Sequence, residues 1–297
     1  MAEQRFFQSV ELTELTLRVA NLAQVQAFYQ DVLGFTALEA TGSDISLGPA
    51  GAAVGLIVLR EGPLAPPRPR GTAGLFHVAL LYPDRSALAR ALHRVLELGL
   101  PIGSADHGVS EAIYLSDPEG NGLELYADRP PEAWPPATGG QVTMYSEALD
   151  VASVLAEARE PGPLLPPGTR IGHVHLSVAD LEHAERFYGD ALGFTVTQRT
   201  YPGALFLGRD GYHHHVGANT WHSRRPAHTG TLGLAEFTMR LADADDYARV
   251  TARLESTGRR REGTGAVVAE DLDGLRVRVA RAFVNPPERG VRSGPGR

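Results

Sequence analysis

The chain repeats itself, and this constrains its fold more than any other feature. The segment Leu17–Phe35 reads LRVANLAQVQAFYQDVLGF, and Leu176–Phe194 reads LSVADLEHAERFYGDALGF; they align without a gap, 159 residues apart. In each copy a short apolar strand runs into Asn21 or Asp180, side chains suited to capping a helix N-terminus. An amphipathic helix with a Phe-Tyr pair follows, and Gly34 or Gly193 offers it a left-handed stop. The same offset relates two weaker copies, GLFHVALLYPD from Gly74 and GLAEFTMRLAD from Gly233, whose helices should end at Gly99 and Gly258. β-like stretches follow the helices, among them Ala112–Ser116, Gly122–Tyr126, Ala204–Leu207 and Tyr212–Thr220. The pattern predicts β-α-β-β-β four times over.

Pro-rich stretches at Glu61–Arg70, Arg129–Pro136 and Pro161–Pro167 mark the connections. They divide the chain into modules 1 and 2 over residues 10–128, a Pro-rich linker over 129–169, modules 3 and 4 over 170–284, and a disordered tail over 285–297. A short helix is expected in the linker, over Tyr145–Arg159.

Composition then removes whole chemistries. With no Cys, thiolate nucleophiles, disulfides, iron–sulfur clusters and thiolate zinc sites are excluded. All 28 basic residues are Arg, so Schiff-base lysines and the phosphate-loop lysine are excluded too. No G-x-S-x-G elbow occurs. What remains is His, Asp, Glu, Tyr and Arg chemistry, and 11 His make a metal the natural suspect. A net charge of −7 argues against nucleic acid or an anionic membrane as partner. The opening MAEQRFFQSVELTEL is too polar for a signal peptide, and no apolar run reaches membrane-spanning length, so a soluble cytoplasmic protein is expected.

Repeated β-α-β-β-β units with a Phe-Tyr-x4-Gly-Phe helix end resemble the vicinal oxygen chelate superfamily of glyoxalases, bleomycin-resistance proteins and extradiol dioxygenases. The resemblance implies an α+β fold of four βαβββ modules. They would pair into two half-barrel, cup-shaped units with metal ligands on the lining strands. Three segments narrow it further. DHGVSEAIYLSDPEGNGLELYADRP from Asp106, IGHVHLSVADLEHAERFYGDALGF from Ile171 and GYHHHVGANTW from Gly211 are similar to the two-domain catechol 2,3-dioxygenases. That branch implies one Fe(II), with Mn(II) as the alternative, and a small aromatic substrate plus O2 as partners. A homo-oligomer is neither required nor excluded.

In the family, ligands stand on a module's first strand, seven residues before the helix cap. Counting back from Asn21, Asp84, Asp180 and Asp243 gives Glu14, His77, His173 and Glu236. A further ligand, usually Glu, stands on a module's last strand. Glu124 fills that place in module 2, and Arg276 takes the matching place in module 4. Two His and one carboxylate make the facial triad of non-haem Fe(II) oxygenases, available here as His77, Glu124 and His173. They come together only if modules 2 and 3 share a cup. Such crossed pairing is expected here, although pairing of 1 with 2 and 3 with 4 stays open. Each ligand also has an ordinary reading, as a core histidine or a solvent-facing strand residue. His175 shares a face with His173, and the seven-residue spacing favours His173.

Ring cleavage needs an acid–base group and a donor near the developing oxyanion. The resemblance puts Tyr114, ten residues before Glu124, as hydrogen-bond donor, and His107 is the acid–base candidate, against its reading as a loop histidine. In the run His213–His215, His213 and His215 share one strand face. They are expected to contact substrate, with His175 and Trp221, and His215 is the alternative metal ligand. Glu14, Glu236 and Arg276 would make an ion network in the other cup. Two other functions fit the same fold: a glyoxalase-type isomerase or lyase, for which His77, Glu124, His173 and His215 could give four ligands, and a non-catalytic binding protein of the bleomycin-sequestering kind.

Overall fold

Four strand–helix–three-strand modules follow one another along the chain in a computed structural model that describes residues 6–158, 161–257, 260–263 and 266–281. Module 1 comprises β1 (Val10–Val19), α1 (Leu22–Ala27), β2 (Thr36–Thr41), β3 (Asp44–Gly48) and β4 (Ile57–Glu61). Module 2 has β5 (Gly74–Leu81), α2 (Arg85–Glu97), β6 (Gly103–Asp106), β7 (Ser110–Ser116) and β8 (Gly122–Asp128). The linker carries the short α3 (Val151–Leu155). Module 3 has β9 (Arg170–Ser177), α4 (Leu181–Ala184), β10 (Thr195–Gln198), β11 (Ala204–Gly208) and β12 (Val216–Asn219). Module 4 has β13 (Gly233–Leu241), α5 (Ala244–Ser256), β14 (Arg260–Gly263), β15 (Ala266–Glu270) and β16 (Arg276–Arg281).

The helix boundaries follow from local chemistry. Asn21, Asp84, Asp180 and Asp243 each accept a hydrogen bond from a backbone N–H of the first turn, as the sequence predicts. Each such cap stabilises its helix by about 1 kcal/mol. In α2 the buried stripe Leu88, Ala91, Leu92 and Val95 has helical spacing and packs into the core. α1 and α4 each run on into a π-helical turn, over Phe28–Val32 and Glu185–Ala191. Both turns stop at a left-handed glycine, Gly34 at φ 79° and Gly193 at φ 81°. At Gly34 space as well as φ forbids a side chain, because a Cβ there would come 2.7 Å from the Leu164 Cβ.

Within every module the first strand pairs in parallel with the last, as β1 with β4, β5 with β8, β9 with β12 and β13 with β16. Between modules the pairing is crossed. β5 runs antiparallel to β9, and β1 runs antiparallel to β13. Modules 2 and 3 therefore form one cup and modules 1 and 4 the other. The two cups meet where β1 touches β9 at Leu12 and Ile171.

Three local expectations need correction. The linker helix is confined to Val151–Leu155, starting where Asp150 caps it, rather than filling Tyr145–Arg159; Arg159 lies outside the described residues. The stretch Tyr212–His215 is a bend ahead of β12, not part of the strand. In the second cup it is Arg278, not Arg276, that stands opposite Thr238, as Glu124 stands opposite Ala79 in the first. The helix stop at Gly258 and the tail over 285–297 lie outside the described residues.

Candidate metal centre

Strand register builds the site. Across β9, β5, β8 and β7 one row of opposed residues reads His173, Ala79, Glu124, Tyr114. Residues opposed in register point to the same sheet face. Ala79 contributes only a methyl group, so the longer His173 and Glu124 side chains on either side converge above it. The neighbouring row places Gly217 of β12, His175 and His77 side by side. His77 leans from this row toward the first.

The result is a triangle of donor atoms. His77 Nε2 lies 2.9 Å from Glu124 Oε2 and 3.3 Å from His173 Nε2, and His173 Nε2 lies 3.1 Å from Glu124 Oε2. All three residues are buried. Metal–nitrogen and metal–oxygen bonds are about 2.1 Å, so ligands at right angles are about 3.0 Å apart and tetrahedral ligands about 3.4 Å. The edges here fall between about 2.9 and 3.3 Å, close to that range, so the donor set fits a divalent metal ion. Among the described residues this is the group of His, Asp and Glu side chains with donors close enough to share an ion.

Protonation suits that use. Burial acts to raise the Glu124 pKa, but the attraction of His173 and His77 outweighs it and holds the carboxyl well below the usual carboxylate range. Burial pushes His173 down to about 4, against the pull of Glu124. Burial also holds His175 and His214 well below the ordinary imidazole range. Near neutrality Glu124 is thus a carboxylate and His173 a neutral imidazole, the forms that ligate metals.

The donors lie in a cavity of about 310 Å³. His107 Nδ1 sits 2.7 Å from the Tyr145 carbonyl, which can only accept, so Nδ1 carries the proton. Its Nε2 then accepts from the Tyr114 hydroxyl at 2.6 Å. Desolvation, and then the Glu124 carboxylate, raise the Tyr114 pKa well above that of a free phenol, so it keeps its proton. His175 lies edge-on to His77 with ring centroids 4.9 Å apart. Trp221 stands at the rim, 37% exposed, with its indole N–H donated to the Pro202 carbonyl.

The histidine run alternates as expected, but with the opposite face inward. His214 lines the cavity, its ring 4.1 Å from that of His173. His213 and His215 turn away. His215 is packed among Phe7, Tyr212 and Phe194, with Nε2 near the Phe6 carbonyl and Nδ1 accepting from the Arg209 N–H, and does not reach the donors. His213 Nε2 donates to Asp128 at 2.9 Å, and its Nδ1 lies 2.8 Å from His214 Nδ1. Strand alternation through the run points His213 and His215 inward, and the bend there shifts it by one residue, which reverses the faces and brings His214 to the cavity.

Other wall residues had weaker signals. A β-bulge between Leu75 and His77 turns Phe76 into the cavity beside His77, where regular alternation would point it away. The linker supplies Met144, Tyr145 and Ser146. This strap is tied to module 2 by the bridge between Asp106 and Glu147, and to module 3 by the Gln198 amide on the Met144 carbonyl.

In the other cup, Glu14 and Glu236 occupy the places of His77 and His173, and guanidiniums fill the space between strands. Arg278 lies 2.8 Å from Glu236 and Arg276 lies 3.6 Å from it. Burial, opposed by Arg278, raises the Glu14 pKa.

A family model for the glyoxalase/bleomycin resistance protein/dioxygenase superfamily matches residues 11–125 and 170–279. The chain belongs to this superfamily. Among its members it is 42% identical over 248 residues to a Bacillus subtilis protein named catechol-2,3-dioxygenase, covering 82% of this chain and 86% of that one. Solved structures of the superfamily fold agree with the module architecture. One Bacillus subtilis protein matches with TM-score 0.66 at 14% identity, over 92% of this chain and 86% of that chain. Glyoxalase I from Zea mays matches with TM-score 0.54 at 17% identity, over 94% and 95%. By register Gly217 of β12 stands opposite His175 as Glu124 stands opposite Ala79, so module 3 brings no side chain to the place that Glu124 fills in module 2.

Proposed function

We propose that this chain is an extradiol ring-cleaving dioxygenase, in which His77, Glu124 and His173 hold Fe(II), or alternatively Mn(II), for cleavage of a catecholic or hydroquinone-like ring with O2. The observation that carries this reading is the donor triangle, with three ligands on one face and the opposite face left to substrate. When bound, the metal would supply adjacent positions for the two oxygens of a diol and for O2. The named relative supports the same reaction class.

The remaining residues manage protons and exclude water. Tyr114 holds a proton at its hydroxyl and can donate toward an oxygen bound near Glu124. His107 Nε2, held in place through the Tyr145 carbonyl, can accept the proton that passes through Tyr114. His214, neutral and beside His173, brings a further imidazole to the cavity from another wall. Phe76, Phe206 and Met144 shield these groups from water.

The glyoxalase-type reading requires a fourth protein ligand. Gly217 lacks one, and His215 faces the aromatic cluster around Tyr212, so the geometry favours the three-ligand reading. A binding protein would have no use for so regular a donor triangle. Anaerobic loading with Fe(II), followed by catechol and O2, tests the proposal. A yellow ring-fission product and O2 uptake are expected, both abolished in His77→Ala. Tight metal binding without O2 uptake across a catechol panel would support the isomerase instead, and absence of metal binding the sequestering protein.

A further inference from the structure

Among the described residues none that lines the cavity carries a guanidinium, although the chain has 28 Arg and no Lys. Its fixed charge is the Glu124 carboxylate, already turned to His77 and His173. Beyond the donors an aromatic strip leads outward. Phe76 lies against His77 with ring centroids 5.3 Å apart, Trp221 against Phe76 at 5.4 Å, and Tyr201 against Trp221 at 6.1 Å. Phe206 and Met144 continue this wall. The strip therefore runs from the place of ring chemistry to the partly exposed Trp221 at the rim, the path that a ring substituent would follow.

Arginines near the wall in sequence are engaged elsewhere. Arg199, two residues before Tyr201, is paired with Glu185 at 2.8 Å. Arg129 is paired with Asp106 at 2.7 Å, and Arg224 donates to the Thr220 and Ser223 carbonyls. A carboxylate arm lying along this strip, away from the donors, would lose its hydration and meet no guanidinium in return, a heavy penalty. An alkyl or aryl arm would instead exchange water for aromatic surface.

We propose that the site selects neutral catechols bearing an apolar alkyl or aryl substituent and rejects those whose arm ends in a carboxylate. This rests on the ring-cleavage reading above. The test compares O2 uptake by the Fe(II)-loaded full chain on catechol and on catechols carrying a methyl, a phenyl, a carboxylate or an acetate arm. The methyl and phenyl compounds should exceed both carboxylated ones in kcat/KM on the order of 100-fold, as expected for a buried charge left unpaired. Any ratio above about tenfold supports the proposal, and a smaller one overturns it, on the same scale.

If no compound consumes O2, the ring-cleavage reading fails, and the charge preference is read from Kd by quenching of tryptophan fluorescence with the same five compounds. Tighter binding of the neutral ones then supports the preference, and equal or tighter binding of the carboxylated ones overturns it. Tyr201→Arg provides the converse, because its half-buried position lets a guanidinium reach the wall while keeping contact with water. It should narrow the neutral-to-carboxylate ratio at least about tenfold. An unchanged ratio in a folded Tyr201→Arg, or in Met144→Arg if the first does not fold, overturns the assignment of selectivity to this wall.

Discussion

Ala79 illustrates how much a site depends on its smallest residue. It stands in register between His173 and Glu124, and any larger side chain would fill the space in which their donors meet. His215 shows the opposite case, a histidine whose burial is a liability in acid. Burial pushes its pKa from 6.5 down to about 3. The unfolded chain therefore takes up this proton first as pH falls. The stability that His215 contributes is full above about pH 6.5 and is lost progressively toward pH 3. At about 1.4 kcal/mol per pH unit, some 3 kcal/mol should disappear between pH 6.5 and 4. Urea unfolding of the metal-free protein across this range measures it. His215→Leu should flatten that slope, and an unchanged slope would assign the acid sensitivity to other groups.

At the scale of elements, the sequence reveals strands and caps well and faces less well. The caps at Asn21, Asp84, Asp180 and Asp243 were legible because a capping side chain works through its own neighbours. His77 and His173 were legible because each stands seven residues before its cap, and Glu124 because the resemblance puts a Glu on a module's last strand. His214 and Phe76 were not, because each depends on an irregularity that breaks alternation: a bend before β12 and a bulge in β5. Met144 and Tyr145 reach the cavity only through long-range ties of the linker strap, which leave no local signature. Gly217 is a further case of long-range control. A Cβ there would lie 2.9 Å from the His175 ring, so a glycine on β12 is what lets His175 lie edge-on beside His77. Gly217→Ala should push His175 toward the donors and cost about 1–3 kcal/mol through overpacking. The midpoint of urea unfolding reports the cost. A parallel loss of metal affinity would show that the displaced ring reaches the site.

At the scale of the molecule, the crossed pairing makes each cup a joint product of both halves of the chain. We treat residues 10–128 and 170–284 as the two halves, joined by the linker. Neither half holds the triad, since His77 and Glu124 lie before the linker and His173 after it. Among the described residues no helix is long and apolar enough to cross a membrane. Cutting the chain after Gly168 would strip β5 of its partner β9 and β1 of its partner β13, leaving two unpaired strand edges on each fragment. Such edges invite aggregation. Each fragment alone should therefore aggregate or remain unfolded and gain no stability from Fe(II). Mixed during refolding, the two should recombine one to one and recover the metal response. For the recombined protein, free metal at 100 times Kd should add about 2.7 kcal/mol. Thermal unfolding with and without Fe(II) checks this for each fragment and for the mixture. A first fragment that folds alone and is stabilised by the metal would mean that modules 1 and 2 suffice for a site, and that joining His173 to the other two donors is unnecessary.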